Sequence, residues 1–273
     1  MTAVWICCAV IAALILLFLF LIFPAARRHP HLAALDGKRI AHRGLHDLSP
    51  AAPENSLAAF DAAWRAGYMI ETDLHITADG EVVVFHDDTL DRMCGVSGKP
   101  EEKTLAELRE LRLGGTEERI PTLKELLSLV NGRVPLLIEF KCTDGETCRR
   151  LCEAADAILS RYDGRYFVQS FYPLMLRWYR KHRPDVCRGQ LASAFRGDKL
   201  KMRALGDLVF NFMARPDFVS YEHTCERHPC RRICTALGAF PVCWTLHSEE
   251  ELCAAKKRFR TFIFENFIPS SDS

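Results

Sequence analysis

From Lys38 onward the sequence alternates short apolar runs with amphipathic stretches, and few folds accommodate that alternation. Strand-like runs fall at residues 39–42, 69–75, 81–86, 136–141, 166–171, 188–192, 218–221, 242–246 and 261–265. Helical patterns lie between them, such as 56–66, 105–111, 123–130 and 146–159. Strands alternating with helices predict βα units and a parallel sheet. Nine strands are one too many for an eightfold barrel, but only five residues, ending in Thr77-Ala78-Asp79-Gly80, separate the second from the third. That spacing is too short for a parallel crossover, so the pair forms a hairpin turned at Asp79-Gly80. The other eight fit an α/β fold, a (β/α)8 barrel of the TIM type with an extra hairpin at strand 2. Ser56 reads as an N-cap, and Thr122 with Glu125 as a capping box. With no repeat and no long Gly/Ser linker, residues 38–273 are one barrel domain.

Residues 3–23 carry no charged side chain. Twenty-one helical residues rise about 31 Å, enough to cross a hydrocarbon core of roughly 30 Å. A cleaved secretory signal is the alternative, but no Lys or Arg precedes the run and the apolar stretch is long for one. The expectation is therefore one transmembrane anchor at 3–23, a juxtamembrane linker at 24–37, and the barrel beyond. Arg27, Arg28, Lys38 and Arg39 follow the span, so the positive-inside bias places the barrel in the cytoplasm, with the extracellular side as the alternative.

Composition narrows the partners. Hydrophobic residues at 49% and charged residues at 26% exclude a disordered chain. Thirty-six basic against thirty-five acidic residues argue against a nucleic-acid protein that relies on a broad basic surface. No protein partner is legible. The twelve cysteines show no disulfide framework, which fits a reducing compartment. His223, Cys225, His228, Cys230 and Cys234 match no standard zinc-finger spacing, and Pro229 interrupts them. The basic stretch of Arg177, Arg180, Lys181, His182 and Arg183 reads as a solvated helix face, or as one that meets anionic lipid headgroups.

Barrel enzymes place their chemistry at the carboxyl ends of the strands. There the sequence puts His42-Arg43-Gly44, then Glu71 and Asp73, then His86-Asp87 returned by the hairpin, then Glu139 and Lys141. Residues two apart on a strand share a face, which aims Glu71 with Asp73 and Glu139 with Lys141. Three converging carboxylates are costly to bury without a cation, and oxygen-only ligands favour Mg2+ or Ca2+. Arg43 and Lys141 suit a phosphate bridging to that metal. Two histidines, His42 and His86, supply a base and an acid for displacement at phosphorus. A salt bridge between Glu139 and Lys141 is the structural alternative. Trp244 reads as a substrate-stacking aromatic or as core.

At these residues the chain resembles the glycerophosphodiester phosphodiesterases. His42-Arg43-Gly44, Pro53-Glu54-Asn55-Ser56, Glu71-Thr72-Asp73, His86-Asp87, Glu139-Phe140-Lys141 and Trp244-Thr245 stand in the order of that family's signature, over roughly residues 38–268. The resemblance implies a TIM-type barrel that hydrolyses glycerophosphodiesters, small-molecule substrates, to glycerol 3-phosphate and an alcohol with a divalent metal. It implies Glu71, Asp73 and Glu139 as metal ligands, His42 and His86 as acid and base, and Arg43 on the phosphate. The expected route is attack by the glycerol hydroxyl beside the phosphate, followed by hydrolysis of the cyclic phosphate. Direct attack by metal-activated water is the competing route.

Three stretches depart from the family pattern: Met93-Cys94 where a Thr pair is usual, Leu246-His247 where Val-Asn is usual, and Glu265-Asn266 where Thr-Asp is common. They bear on the alcohol, not on the reaction. A lipid-directed phosphodiesterase, acting on lysophospholipids or a glycerol-phosphate polymer, is the neighbouring reading. A catalytically silent, membrane-tethered barrel would have lost a metal acid or a histidine, and none is lost.

Overall fold

The computed structural model describes residues 1–46, 51–141, 144–195 and 200–270. In chain order its elements are α1 (Thr2–Ile22), β1 (Arg39–Ala41), α2 (Leu57–Arg65), β2 (Met69–Ile76), β3 (Val82–Val84), α3 (Asp91–Cys94) and α4 (Leu105–Arg109). Next come α5 (Leu123–Val130), β4 (Leu136–Phe140), α6 (Gly145–Leu159), β5 (Tyr166–Ser170), α7 (Pro173–His182) and β6 (Arg188–Ala192). The chain closes with α8 (Leu200–Gly206), α9 (Asn211–Ala214), β7 (Phe218–Glu222), α10 (Pro229–Ala236), β8 (Phe240–Leu246), α11 (Glu249–Ala255) and β9 (Thr261–Phe264).

The strands run β1-β9-β8-β7-β6-β5-β4-β2-β3 in one sheet, and a further β1–β2 pairing closes it. Every pair is parallel except β2 with β3. The result is a closed eight-stranded parallel barrel with one extra antiparallel strand. The hairpin forms where its length demanded. Gly80, at φ +87°, donates to the Thr77 carbonyl, and Leu74 pairs with Val84. Phe85 then donates to the Asp73 carbonyl at 3.1 Å, which carries His86 up beside the acidic strand.

Local signals account for the helices. The Ser56 hydroxyl accepts from the Ala59 amide and starts α2, while Thr122 and Glu125 cap α5 reciprocally. Thr104 with Glu107 forms another capping box, which starts α4, and that helix ends at Arg109 rather than reaching 111. Pro229 does not break a segment; it opens α10 at a position where its missing N–H costs nothing. β8 starts at Phe240, two residues earlier than the apolar run suggests, and takes in Pro241.

The barrel lumen is layered. Ile40, Met69, Leu137, Phe167, Phe218 and Phe240 fill its lower part in one apolar cluster. Leu32 and Leu35, brought in by the 3-10 turn Pro30–Ala34, complete the floor, so much of the expected linker belongs to the barrel. Gly189 of β6 admits Phe218: a Cβ built there would lie 1.9 Å from the Phe218 ring. Above the floor the lumen turns polar, as alternate positions on β2 and β4 pass from Met69 to Glu71 and Asp73, and from Leu137 to Glu139 and Lys141.

α1 is an uncharged helix of 21 residues, long and apolar enough to cross a membrane. Its last turn packs against α9. Asn211 donates to the Ile22 carbonyl at 3.1 Å, Arg215 donates to the carbonyls of Phe20 and Phe23 at 2.8 Å, and the Phe20 and Phe212 ring centroids lie 6.3 Å apart. In the basic stretch at the end of α7, Arg180 donates to the carbonyls of Phe212 and Met213 and Arg183 pairs with Asp156 and Asp185, while Arg177 and Lys181 are exposed. Among the described residues every cysteine is a free thiol.

Candidate active site

The carboxyl ends of the strands surround a cleft of about 440 Å³. Seven of the eight residues singled out from the sequence line it: His42, Arg43, Glu71, His86, Glu139, Lys141 and Trp244. The eighth, Asp73, is buried beside them. One carboxylate oxygen from each of Glu71, Asp73 and Glu139 lies within 4.8 Å of the others, and all three side chains are buried.

Backbone strain and outer partners hold this set in place. Arg43 sits in the left-handed region at φ 54°, followed by Gly44 at φ 82°, whose missing side chain lets the turn press on Ala59. The turn aims the Arg43 amide at Glu71 Oε2 (3.2 Å) and its guanidinium at Glu54 (2.9 Å) and Asp73 (3.7 Å). Asn55, also left-handed at φ 55°, donates from Nδ2 to Asp73 Oδ2 at 2.9 Å and accepts from Thr72 at 3.1 Å. Lys141 Nζ bridges Glu139 (2.7 Å) and Asp73 (3.0 Å). The Glu139–Lys141 ion pair expected as the alternative is therefore present, and it belongs to the same cluster.

Electrostatics explain the protonation states. Three buried carboxylates face two cations, Arg43 and Lys141. Burial, reinforced by Asp73 and Glu139, pushes the Glu71 carboxyl well above the usual carboxylate range. Burial likewise raises Glu139, against the pull of Lys141. Burial also opposes ionisation of Asp73, but Lys141, His86 and Arg43 overcome it and hold this carboxylate ionised. A cluster with one negative charge in excess, built only from oxygen donors, fits a hard divalent cation. Glu71, Asp73 and Glu139 are the residues that would hold it.

Each histidine has a carboxylate behind it. His42 Nδ1 hydrogen-bonds to Glu265, and its Nε2 lies 3.9 Å from Glu71. His86 Nδ1 bonds to Asp87 at 2.7 Å, and Arg92 ties Asp87 to Glu54. A carboxylate at Nδ1 makes that nitrogen the donor and leaves Nε2 of the neutral ring as the acceptor. Burial pushes both imidazoles down. Glu265 opposes the shift at His42, and Asp73 and Asp87 oppose it at His86.

Glu265 was read from the sequence only as a departure from a pattern, and Glu54 and Asn55 only as part of a motif. The structure places all three in direct contact with the selected residues. His247, from another departing stretch, approaches Glu265 at 3.5 Å. Met93 and Cys94 instead pack against a small apolar cluster under the hairpin. Trp244 rests on the floor cluster, donates to the Ser220 carbonyl at 3.0 Å, and meets Phe171 edge-on at the cleft.

The Cys/His run at 223–234 disperses. His223 faces Glu251 at 3.8 Å, Cys234 is buried beneath Ile22, and only His228 and Cys230 come together, with Asp207.

The model of the glycerophosphoryl diester phosphodiesterase family matches residues 42–261. A glycerophosphodiester phosphodiesterase of Caldanaerobacter subterraneus subsp. tengcongensis is 34% identical over 229 residues, 78% of this chain and 87% of that protein. The match to YhdW of Bacillus subtilis is 44% identical over 109 residues, which is 37% of this chain and less than half, 44%, of that relative. Among solved structures, an Oleispira antarctica phosphodiesterase in complex with sn-glycerol-3-phosphate superposes with a TM-score of 0.70 at 23% identity, covering 85% of this chain and 94% of the other. A Thermotoga maritima glycerophosphodiester phosphodiesterase gives a TM-score of 0.63 at 26% identity, covering 83% and 93%.

Proposed function

The chain belongs to the glycerophosphoryl diester phosphodiesterase family, and on that footing we propose that it hydrolyses glycerophosphodiesters to glycerol 3-phosphate and an alcohol at the cleft described above. One observation carries the reading: Glu71, Asp73 and Glu139 converge at the mouth of the barrel, with His42 and His86 opening onto the same cleft.

A divalent ion, Mg2+ or Ca2+, bound by the three acids would withdraw electron density from the phosphate and so make phosphorus electrophilic. With such an ion and a singly charged phosphodiester in place, the charges of the cluster including Arg43 and Lys141 sum to zero. Arg43 and Lys141 hold the non-bridging phosphate oxygens. One imidazole takes the proton from the glycerol hydroxyl adjacent to the phosphate through its Nε2. The other delivers a proton to the departing alcohol, and the roles reverse when water opens the cyclic phosphate. Glu265 and Asp87 keep the two rings in the tautomer that leaves Nε2 free. Trp244 and Phe171 wall the substrate.

Thr2–Ile22 anchors the barrel in a membrane, and Arg27 and Arg28 after it favour the cytoplasmic side. Protease added to intact cells should then spare the barrel.

The test is release of glycerol 3-phosphate from glycerophosphocholine by the full chain in detergent. Chelation should silence it, and His42→Ala and His86→Ala should each abolish turnover while the fold and metal binding persist. Turnover that survives chelation sinks the metal role. Turnover that survives either alanine sinks the paired-imidazole mechanism.

A further inference from the structure

At the amino ends of the strands, the end of the barrel away from the catalytic cleft, the stretch after α1 and the barrel enclose a cavity of about 650 Å³. Such a volume falls within the roughly 300–1,000 Å³ of small-molecule sites. Residues 23–30 form one side, and α7, the start of β6 and the turn into β7 form the other. The wall carries five guanidinium groups, those of Arg27, Arg28, Arg180, Arg188 and Arg215. Against them stands one carboxylate among the described residues, Asp217, and it is committed to Arg188. It accepts from the Arg188 amide at 3.0 Å and lies 3.8 Å from the Arg188 guanidinium. Arg180 and Arg215 are aimed by backbone carbonyls instead, those of Phe212 and Met213 for the first and of Phe20 and Phe23 for the second. A guanidinium has five N–H donors, so these bonds leave others for a ligand. Burial lowers the pKa of both Arg188 and Arg215, and the charge of Arg180 pushes the same way. Positive charge is therefore gathered here beyond what the neighbouring acid offsets.

The depth of the cavity points to the source of its ligand. Arg215 holds the Phe20 and Phe23 carbonyls, so it marks the end of the 21-residue apolar helix. A span of about 31 Å in a hydrocarbon core of roughly 30 Å puts that end at the level of the lipid phosphates. Arg27 and Arg28 follow a few residues later. Guanidinium forks match phosphate oxygens two at a time, and basic pockets beside a span are suited to anionic headgroups. A zwitterionic headgroup would bring its own cation into the same cluster.

We propose that this cavity binds the headgroup phosphate of an anionic phospholipid from the bilayer that α1 enters, as a resident lipid and not as a substrate; this rests on the anchor reading above. The strand ends separate the two roles. Arg188 opens β6 and Asp217 precedes β7, whereas His42 follows β1 and Glu139 lies near the close of β4. A phosphate among the five arginines thus has the length of the barrel between it and the imidazoles. It joins cations of the linker, α7, β6 and the turn after α9, and so secures the joint between the span and the barrel. Because the lipid binds the folded joint, it stabilises the fold by mass action.

The experiment follows thermal unfolding of the full chain in detergent micelles doped with phosphatidylglycerol or with phosphatidylcholine, and in undoped micelles with added inorganic phosphate. Phosphatidylglycerol should raise the midpoint as its mole fraction rises, phosphatidylcholine should not, and salt should weaken the gain. Arg27→Gln and Arg28→Gln, at two exposed positions, should each lower the apparent affinity about fivefold. Lys181→Gln removes an exposed cation of α7 that does not line the cavity, and should leave the affinity within about twofold. Equal stabilisation by the two lipids overturns the proposal. An equal loss in Lys181→Gln does so too, because the effect would then be diffuse surface charge. Inorganic phosphate that matches phosphatidylglycerol at equal concentration also overturns it, since the site would then serve a free anion. Extraction of the chain from membranes by alkaline carbonate refutes the anchor instead, so the two failures are distinguishable.

Discussion

Glu265→Gln isolates the one contact in the cleft that the sequence presented only as an irregularity. Glutamine keeps the length and shape of the side chain but replaces a charged acceptor at His42 Nδ1 with a neutral amide that can present either its oxygen or its nitrogen. The two side chains are only 14% and 17% exposed, so solvent does little to screen the loss. A hydrogen bond to a charged group contributes about 1.5–3 kcal/mol, which converts to a fall in kcat of roughly 10- to 160-fold. The direction of the pH effect follows as well. Burial pushes the His42 imidazole down and Glu265 pulls it back up, so removing the carboxylate's charge lets burial dominate. The limb of the pH–rate profile that belongs to His42 should move to lower pH, whether the ring acts as base or as acid. Metal content and the urea midpoint serve as controls, because Glu265 is not among the three converging acids. Glu265→Asp, which keeps the charge on a shorter arm, should recover part of the rate. An unchanged kcat together with an unmoved limb would refute the orienting role.

Asn55→Ala removes the donor to Asp73 Oδ2, and metal affinity measured by titration should fall about 10- to 100-fold, as for other groups that orient a ligand. Gly189→Ala drives a methyl group into the Phe218 ring and should cost about 1–3 kcal/mol in urea denaturation; Phe218→Leu in the same chain should recover part of it. Asp87 contributes to acid stability. Burial opposes its charge, but Arg92 and His86 hold its pKa at about 2, below the unfolded value. Its contribution is present above the unfolded pKa of about 3.9 and is lost as pH falls through about 2. Asp87→Asn should flatten the stability profile across that window.

Much of this architecture could be read from spacing. Five residues between two strand patterns forced the hairpin, and the hairpin alone brings His86 to Asp73. Alternation placed Glu71 with Asp73, and Glu139 with Lys141, because a strand's period of two is insensitive to everything around it. What stayed hidden depends on closure. Glu265 reaches His42 because β9 lies beside β1, a contact 223 residues apart in sequence that no local pattern encodes. Leu32 and Leu35 lie in a short stretch between the span and the first strand, where nothing marks them as floor until eight strands surround them. α9 is a four-residue helix, too short for any periodicity, yet it holds the end of α1. Pro229, which reads as an interruption, begins a helix.

The join between α1 and the barrel leaves the catalytic domain without a leash. The final helical turn is already fastened to α9, and Leu32, a few residues further on, is already seated among the lumen side chains. Nine residues separate these two points, and both ends of that segment are held against the barrel. The mouth of the barrel therefore keeps one bearing relative to the axis of α1. Anything it meets must come from the side toward which that bearing points.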